Sequence, residues 1–221
     1  MNVRQKGRLE VVPAGSHRES SALPEYANLA RGWNRQADLG RNPVFYDGTL
    51  TARTYRAWLN RWAVHYVVLP SGPLDSAGRQ EASLIRHGLP DLKRVWSDAN
   101  WKLYAVQTPT PLAAPNATLK DAGHDHLTIT VHRAGTVRLR LPYSPWLTLA
   151  DSHGRKVKRT RSGTGRDSPL NRAGCLMKRV ESLDANRPRD VWTDLVVPHA
   201  GTYRIAAEYG LPRGSTCSGG L

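Results

Sequence analysis

Hydrophobic positions follow two different periods along this chain. Between residues 8 and 107, short apolar runs alternate with stretches of helical spacing. Arg8–Pro13 (RLEVVP) reads as a strand, and Ser20–Arg31 as a weak helix with Leu23, Ala27 and Ala30 on one face. Pro43–Tyr46 reads as a short extended piece before the Asp47-Gly48 turn. Thr51–Ala63 has the clearest helical pattern, because Tyr55, Trp58, Leu59 and Trp62 recur three and four residues apart, with Thr49 or Thr51 placed as its cap. His65–Leu69 predicts a buried strand, stopped by Pro70-Ser71-Gly72. Asp75–His87 predicts a second helix ending at Gly88. Leu92–Ser97 and Trp101–Gln107, joined by Asp98-Ala99-Asn100, predict a hairpin. Strands alternating with helices point to an open α/β sheet over residues 8–107.

Thr108–Pro115 (TPTPLAAP) has the composition of a stiff linker. Beyond it the period becomes two. Leu127, Ile129 and Val131 alternate with threonines, and Val137, Leu139 and Leu141 alternate with arginines, with Ala134-Gly135-Thr136 as the turn between them. Trp146–Ala150, Cys175–Ser182, Val191–Val197 and Thr202–Tyr209 supply further strands. Short strands and tight turns predict an antiparallel β-sandwich over residues 116–217. The expected fold is therefore α+β overall: an N-terminal open α/β sheet lobe followed by a C-terminal antiparallel β-sandwich lobe. The loop 163–171 and the tail 215–221 read as its most mobile parts.

Composition narrows the class. The chain has 221 residues, 39% hydrophobic, with no apolar run near the roughly 18 residues of a membrane helix. Residues 1–10 carry charge and no apolar core, so no signal peptide is read there. The formal net charge is +14, which invites a nucleic-acid reading. However, the basic residues are 25 arginines and only 7 lysines, spread over the whole chain, and only 155–166 is a dense run. That scatter favours a solvated basic surface facing an anionic membrane or envelope polymer, and makes nucleic acid an unlikely partner.

Sequence motifs for common chemistries are missing. There is no phosphate loop, dinucleotide fingerprint, nucleophile elbow, CxxC or HExxH. No cofactor is expected. His124, His126 and His132 share a strand face and have the ligand type for zinc, but a hairpin with surface histidines explains them as well. His17 and Glu19 follow the first strand, where α/β sheets place their ligands. Glu19 there is a candidate acid or base positioned by His17, or a charge at a helix N-terminus. Trp58 and Trp62, at i and i+4, belong to a core. Trp33 differs: it lies in Arg31-Gly32-Trp33-Asn34-Arg35-Gln36-Ala37-Asp38, and Arg31, Trp33, Arg35 and Asp38 together have the chemistry of an anion or sugar site. Cys175 and Cys217 would be thiols in a reducing compartment; in an oxidising one they would close a loop tying the tail to the β lobe.

Several strings carry a resemblance. RLEVVP at Arg8–Pro13, His17-x-Glu19, Leu29–Asp38, NPVFYDGTL at Asn42–Leu50, Tyr55-x-x-Trp58-Leu59 and Tyr66–Pro70 resemble the extracytoplasmic C-terminal region of actinobacterial polytopic membrane proteins whose cores are similar to GT-C-type glycosyltransferases. Gly88-Leu89-Pro90, Val95-Trp96, Trp101-x-Leu103-Tyr104, Tyr143–Trp146, Gly174-Cys175 and Arg213–Cys217 extend the likeness over about residues 8–217. The sequence departs from it at Arg18, where an aromatic is expected. The resemblance implies a location at the extracytoplasmic face of the plasma membrane, a Cys175–Cys217 disulfide, and a membrane-embedded partner or core. It supplies no catalytic residue, because the catalytic acid of such enzymes sits between membrane helices. The expected function is a non-catalytic lobe that positions a cell-envelope glycan or lipid-linked sugar through Glu19, Arg31, Trp33, Arg35, Asp38 and Tyr46. The rival expectations are a small hydrolase or transferase using His17 and Glu19, and a basic nucleic-acid binder.

Overall fold

The computed structural model describes residues 7–32, 34–151, 174–182, 189–207 and 214–217, with the side chain of Arg35 excluded. The chain divides into two compact units, 1–111 and 112–221, and the division falls inside the proline-rich stretch. The fold is β-rich, α+β in class.

The first unit is built on a four-stranded sheet of β1 (Arg8–Val11), β2 (Val64–Pro70), β3 (Leu92–Ser97) and β4 (Trp101–Val106), in the order β1-β2-β4-β3. β1 and β2 are parallel, whereas β4 is antiparallel to both β2 and β3. One face carries Leu9, Val11, Tyr66 and Val68, and the other carries Glu10 opposite Val67. Four helices follow from local chemistry. In α1 (Glu19–Ala22) only four residues are helical, fewer than the spacing of 20–31 predicts, because Pro24 follows its C-cap Leu23. The stretch 31–38 reads as loop in sequence, but Asn34 accepts the Ala37 N–H and starts α2 (Arg35–Arg41). This helix is short, polar and mostly exposed, so it has no apolar period to betray it. α3 (Ala52–Arg61) begins at the predicted Thr51, whose hydroxyl and that of Thr54 cap each other's backbone N–H groups. α4 (Arg79–His87) ends at Gly88 with φ 89°. Pro43–Phe45 is a 3₁₀ turn rather than the expected extended piece, because Tyr46 and Asp47 both donate back to Pro43 O.

The second unit contains two four-stranded sheets, and every pairing between their strands is antiparallel. One comprises β5 (Ala113–Ala114), β8 (Gly135–Pro142), β10 (Cys175–Glu181) and β11 (Asp190–Val197). The other comprises β6 (Ala117–Ala122), β7 (His126–Val131), β9 (Leu147–Ala150) and β12 (Gly201–Ala207). β5 lies within the expected linker, since Ala113 and Ala114 pair with Leu139 and Arg138. Alternation buries Leu127, Ile129 and Val131 on β7, and Val137 and Leu139 on β8. On β11, by contrast, four successive residues, Trp192–Leu195, are buried.

The start of the expected mobile tail is held in place. Leu176 N–H donates to Ser215 O, Cys217 N–H donates to Leu176 O, and the buried Ser215 hydroxyl accepts the Leu149 N–H at 2.9 Å. Residues 214–217 therefore bond to one strand of each sheet. Gly214 has φ 48°, and a Cβ there would lie 2.5 Å from Pro145 O, so the segment requires glycine. A Cys175–Cys217 disulfide closes this arrangement over a sequence separation of 42. The loop 163–171 and the basic run 155–166 lie outside the described residues. On the chain-entropy model a loop of this size is worth about 4 kcal/mol. Replacing both cysteines with serine is expected to lower the unfolding free energy of the second unit by roughly that amount in urea titrations; a loss below ~1 kcal/mol would show that the Ser215 bonds hold the tail unaided.

Candidate functional site

The site grows out of one buried arginine. Arg31 follows the bridge that joins Leu29 to Leu9, and its side chain enters the helix-covered side of the sheet. Its Nε and Nη2 donate to Glu10 Oε1 at 2.9 and 2.6 Å, and Nη2 donates to Glu81 Oε2 of α4 at 2.5 Å. Tyr55 of α3 donates to the other oxygen of Glu81 at 2.7 Å. Glu10 and Glu81 are both 0% exposed. The guanidinium also stacks 3.6 Å from the Phe45 ring centroid. Asp38 of α2 lies 3.8 Å from Arg31 Nη1 and accepts from Asn42 at 2.7 Å and Tyr46 at 2.5 Å. Asn42 Oδ1 in turn accepts both indole N–H groups, Trp58 at 2.7 Å and Trp62 at 2.8 Å.

Three carboxylates thus surround one guanidinium inside the protein. Burial is the main reason that Glu10 stands well above the usual carboxylate value, and Arg31 only partly opposes it. Glu81 is raised by burial for the same reason. Burial alone would lower Arg31, but Glu10 and Glu81 together outweigh it and hold the guanidinium protonated. Burial and then Glu81 push the Tyr55 phenol up, so it stays a donor.

Against this cluster lies a small polar cavity of about 20 Å³, lined in part by His17, Glu19, Arg31, Asp38, Tyr46 and Asp75. That volume suits one water-sized group. Glu19, the first residue of α1, is 6% exposed; its Oε1 accepts the Ala14 N–H at 3.0 Å while Oε2 has no hydrogen-bond partner. Arg31 Nη1 likewise donates to no acceptor within hydrogen-bond distance. His17 sits at φ 53°, a left-handed conformation that histidine tolerates, and its Nε2 lies 3.5 Å from Asp75 Oδ2.

The structure therefore brings together five candidates picked from separate strings: His17, Glu19, Arg31, Asp38 and Tyr46. Trp33 and the Arg35 side chain lie outside the described residues. One expectation needs correction. Arg31 is a buried ion-pair centre rather than an open loop cation, because Glu10 and Glu81 claim it. Sequence reasoning missed Glu10, Glu81, Tyr55 and Asp75. The only available signal was Glu10 itself, a charge on a strand otherwise buried on both faces.

The three histidines do not converge. His126 Nε2 lies 2.7 Å from Asp121 and Nδ1 lies 2.8 Å from Asp125, so both ring nitrogens face carboxylates. His132 bonds Thr118, and His124 is exposed. Among the described residues no group of three or more His, Cys, Asp or Glu is placed to hold a metal ion, and no helix is long and apolar enough to cross a membrane.

Residues 114–221 are similar to a family described as a domain of unknown function, DUF8823. This likeness covers the second unit and leaves the pocket, in the first, outside it. No curated protein and no solved structure matches the chain.

A carboxyl that binds its proton more tightly when folded adds stability below the ordinary glutamate value of 4.5, and that stability is lost as pH rises through the folded value. Glu10→Gln keeps the shape without the charge. Its stability relative to wild type is expected to rise as pH increases above the ordinary glutamate value of 4.5. Parallel pH profiles of the thermal unfolding of the two proteins would show instead that Glu10 carries no linked proton.

Proposed function

We propose that this chain is a non-catalytic, extracytoplasmic carbohydrate-binding lobe of a membrane glycosyltransferase-like protein, and that its first unit holds a sugar hydroxyl in the cavity beside Arg31. The observation that carries this reading is that two residues lining one cavity each have a buried polar atom without a hydrogen-bond partner. Glu19 Oε2 lacks a donor, and Arg31 Nη1 lacks an acceptor. A hydroxyl meets both needs, since it donates and accepts at once. An ammonium cannot accept from Arg31, and a carboxylate or a fully ionised phosphate cannot donate to Glu19. Asp38 and Asp75 add negative charge around the cavity, which further disfavours an anionic group. The anion half of the site expectation therefore gives way to the sugar half. Tyr46 and Asp38, which also line the cavity, present further polar groups for neighbouring hydroxyls.

The Cys175–Cys217 disulfide supports an oxidising, extracytoplasmic location. The net charge of +14 suits a surface facing an anionic envelope. One-sided burial on β7 and β8, together with Ser215 bonded to both sheets, supports a face-to-face sandwich in the second unit. A second reading, a hydrolase or transferase using Glu19 as acid or base, is favoured by the burial of Glu19 in the same cavity as His17.

Calorimetric titration with neutral, amino and acidic monosaccharides tests both readings. Neutral sugars are expected to bind and uronic acids not to bind. Glu19→Gln is expected to weaken binding about 10- to 100-fold, the scale of a hydrogen bond to a charged group. Binding unaffected by both Glu19→Gln and Tyr46→Phe would overturn the site, and turnover of a bound glycoside that disappears in Glu19→Gln would replace the binding reading with the enzymatic one.

A further inference from the structure

The sheet face opposite Glu10 carries a second concavity. By register this face holds Leu9 and Val11 of β1, Tyr66 and Val68 of β2, and Leu103 and Ala105 of β4. Leu23, Ala27 and Leu29 cover part of it. The remainder is a groove of about 420 Å³ whose apolar walls are Leu9, Leu23, Val68, Trp96, Trp101 and Leu103. That volume lies within the ~300–1,000 Å³ range of small-molecule sites. Trp96 is 51% exposed, so much of one indole is left in water. Open apolar surface of this kind marks a binding site. A further β-strand is a poor occupant: β3, the outer strand of the sheet here, bears the exposed Lys93 and Arg94, and its register breaks between Arg94 and Trp96.

Ser16, Arg18 and Lys102 line the same groove, and so does Glu19. Ser16 and Arg18 are exposed, whereas Glu19 is 6% exposed and its Oε1 accepts the Ala14 N–H. The charge that meets water on this side of the groove is therefore positive. Neither Arg18 nor Lys102 is ion-paired among the described residues. A plain hydrocarbon would leave both cations unmatched, a small anion would leave the apolar walls wet, and an amine would meet like charge. A carboxylate on an alkyl chain fits throughout: the chain leaves water against the indoles, and the carboxylate pairs with a guanidinium. We infer that the groove binds a medium-chain fatty acid, its chain packed on Trp96 and Trp101 and its carboxylate held at Arg18. This ligand lies outside the cavity beside Arg31, and its binding does not depend on a sugar being held there.

The test titrates the full chain with hexanoate, octanoate and decanoate below their micelle-forming concentrations, following heat and tryptophan emission, with decanol and decylamine as head-group controls. Complete burial of a methylene corresponds to about a fourfold gain in affinity. Decanoate is expected to bind once per chain with a blue shift of tryptophan emission. Its affinity is expected to exceed that of hexanoate, and that of decanol or decylamine, by at least ~10-fold. Trp96→Ala is expected to flatten the chain-length dependence, and Arg18→Ala combined with Lys102→Ala to bring decanoate down to the affinity of decanol. Trp96 is half exposed and Arg18 exposed, so thermal unfolding of these variants is expected to match wild type. Decanoate bound no tighter than hexanoate, decanol or decylamine would overturn the inference. Many weak sites per chain that ignore Trp96→Ala would overturn it too, because they are the pattern of unspecific adsorption to a protein of net charge +14.

Discussion

Everything distinctive in the first unit depends on the burial of Arg31 between Glu10 and Glu81. A guanidinium withdrawn from water is costly unless its donors are matched, and here two carboxylates on different elements accept from Nε and Nη2. Glu10 belongs to the first strand and Glu81 to the last helix, whereas Arg31 comes from the connection between them. The ion cluster therefore ties three distant stretches of chain to one point. Tyr55 attaches a third helix through Glu81, and Phe45 closes over the guanidinium face. Removing any member would leave a buried charge exposed to its own desolvation cost, so the set is held or lost together.

The same network continues outward. Asp38 bonds Asn42, and Asn42 accepts both Trp58 and Trp62. This explains how two indoles of α3 are buried with their N–H groups satisfied, and why α2, a poor helix by pattern, is worth forming: it delivers Asp38 and ends at Asn42. The matching is incomplete: Glu10 Oε2, Arg31 Nη1 and Glu19 Oε2 all lack a hydrogen-bond partner. Arg31 and Glu19 line the cavity, and buried polar atoms without a partner are rare in folded proteins unless water or a ligand meets them. The structural core and the candidate site are thus one system, with the core setting the charge and geometry that the cavity presents.

The second unit solves a different problem. β7 and β8 bury alternate residues, one strand in each of its two sheets. Residues 214–217 bond to a strand of each sheet, through the backbone to Leu176 and through the Ser215 hydroxyl to Leu149, and carry the disulfide to Cys175. The likeness to DUF8823 over 114–221 coincides with this unit, which gives it the character of a module in its own right, separate from the pocket-bearing one.

The sequence by itself determined the period of each half, and with it the amphipathic helix over Tyr55–Trp62, the Thr51 cap, the hairpin around Asp98–Asn100 and most strands of the second unit. These are local properties, set by side-chain alternation and turn chemistry within a few residues. It also named His17, Glu19, Arg31, Asp38 and Tyr46 as polar groups of interest. What it missed were partnerships across long separations. Glu81 is 50 residues from Arg31 and Tyr55 is 26 from Glu81, and no periodicity marks residues that meet only when a sheet and three helices close around them. The same holds for α2, whose reason for folding is its contact with that cluster, and for the tail, which looked mobile because its bonds run to strands far away in the chain. Only the tertiary structure decided that Arg31 is a buried centre instead of an open loop cation, since burial and charge pairing depend on the enclosing fold and leave no trace in local pattern.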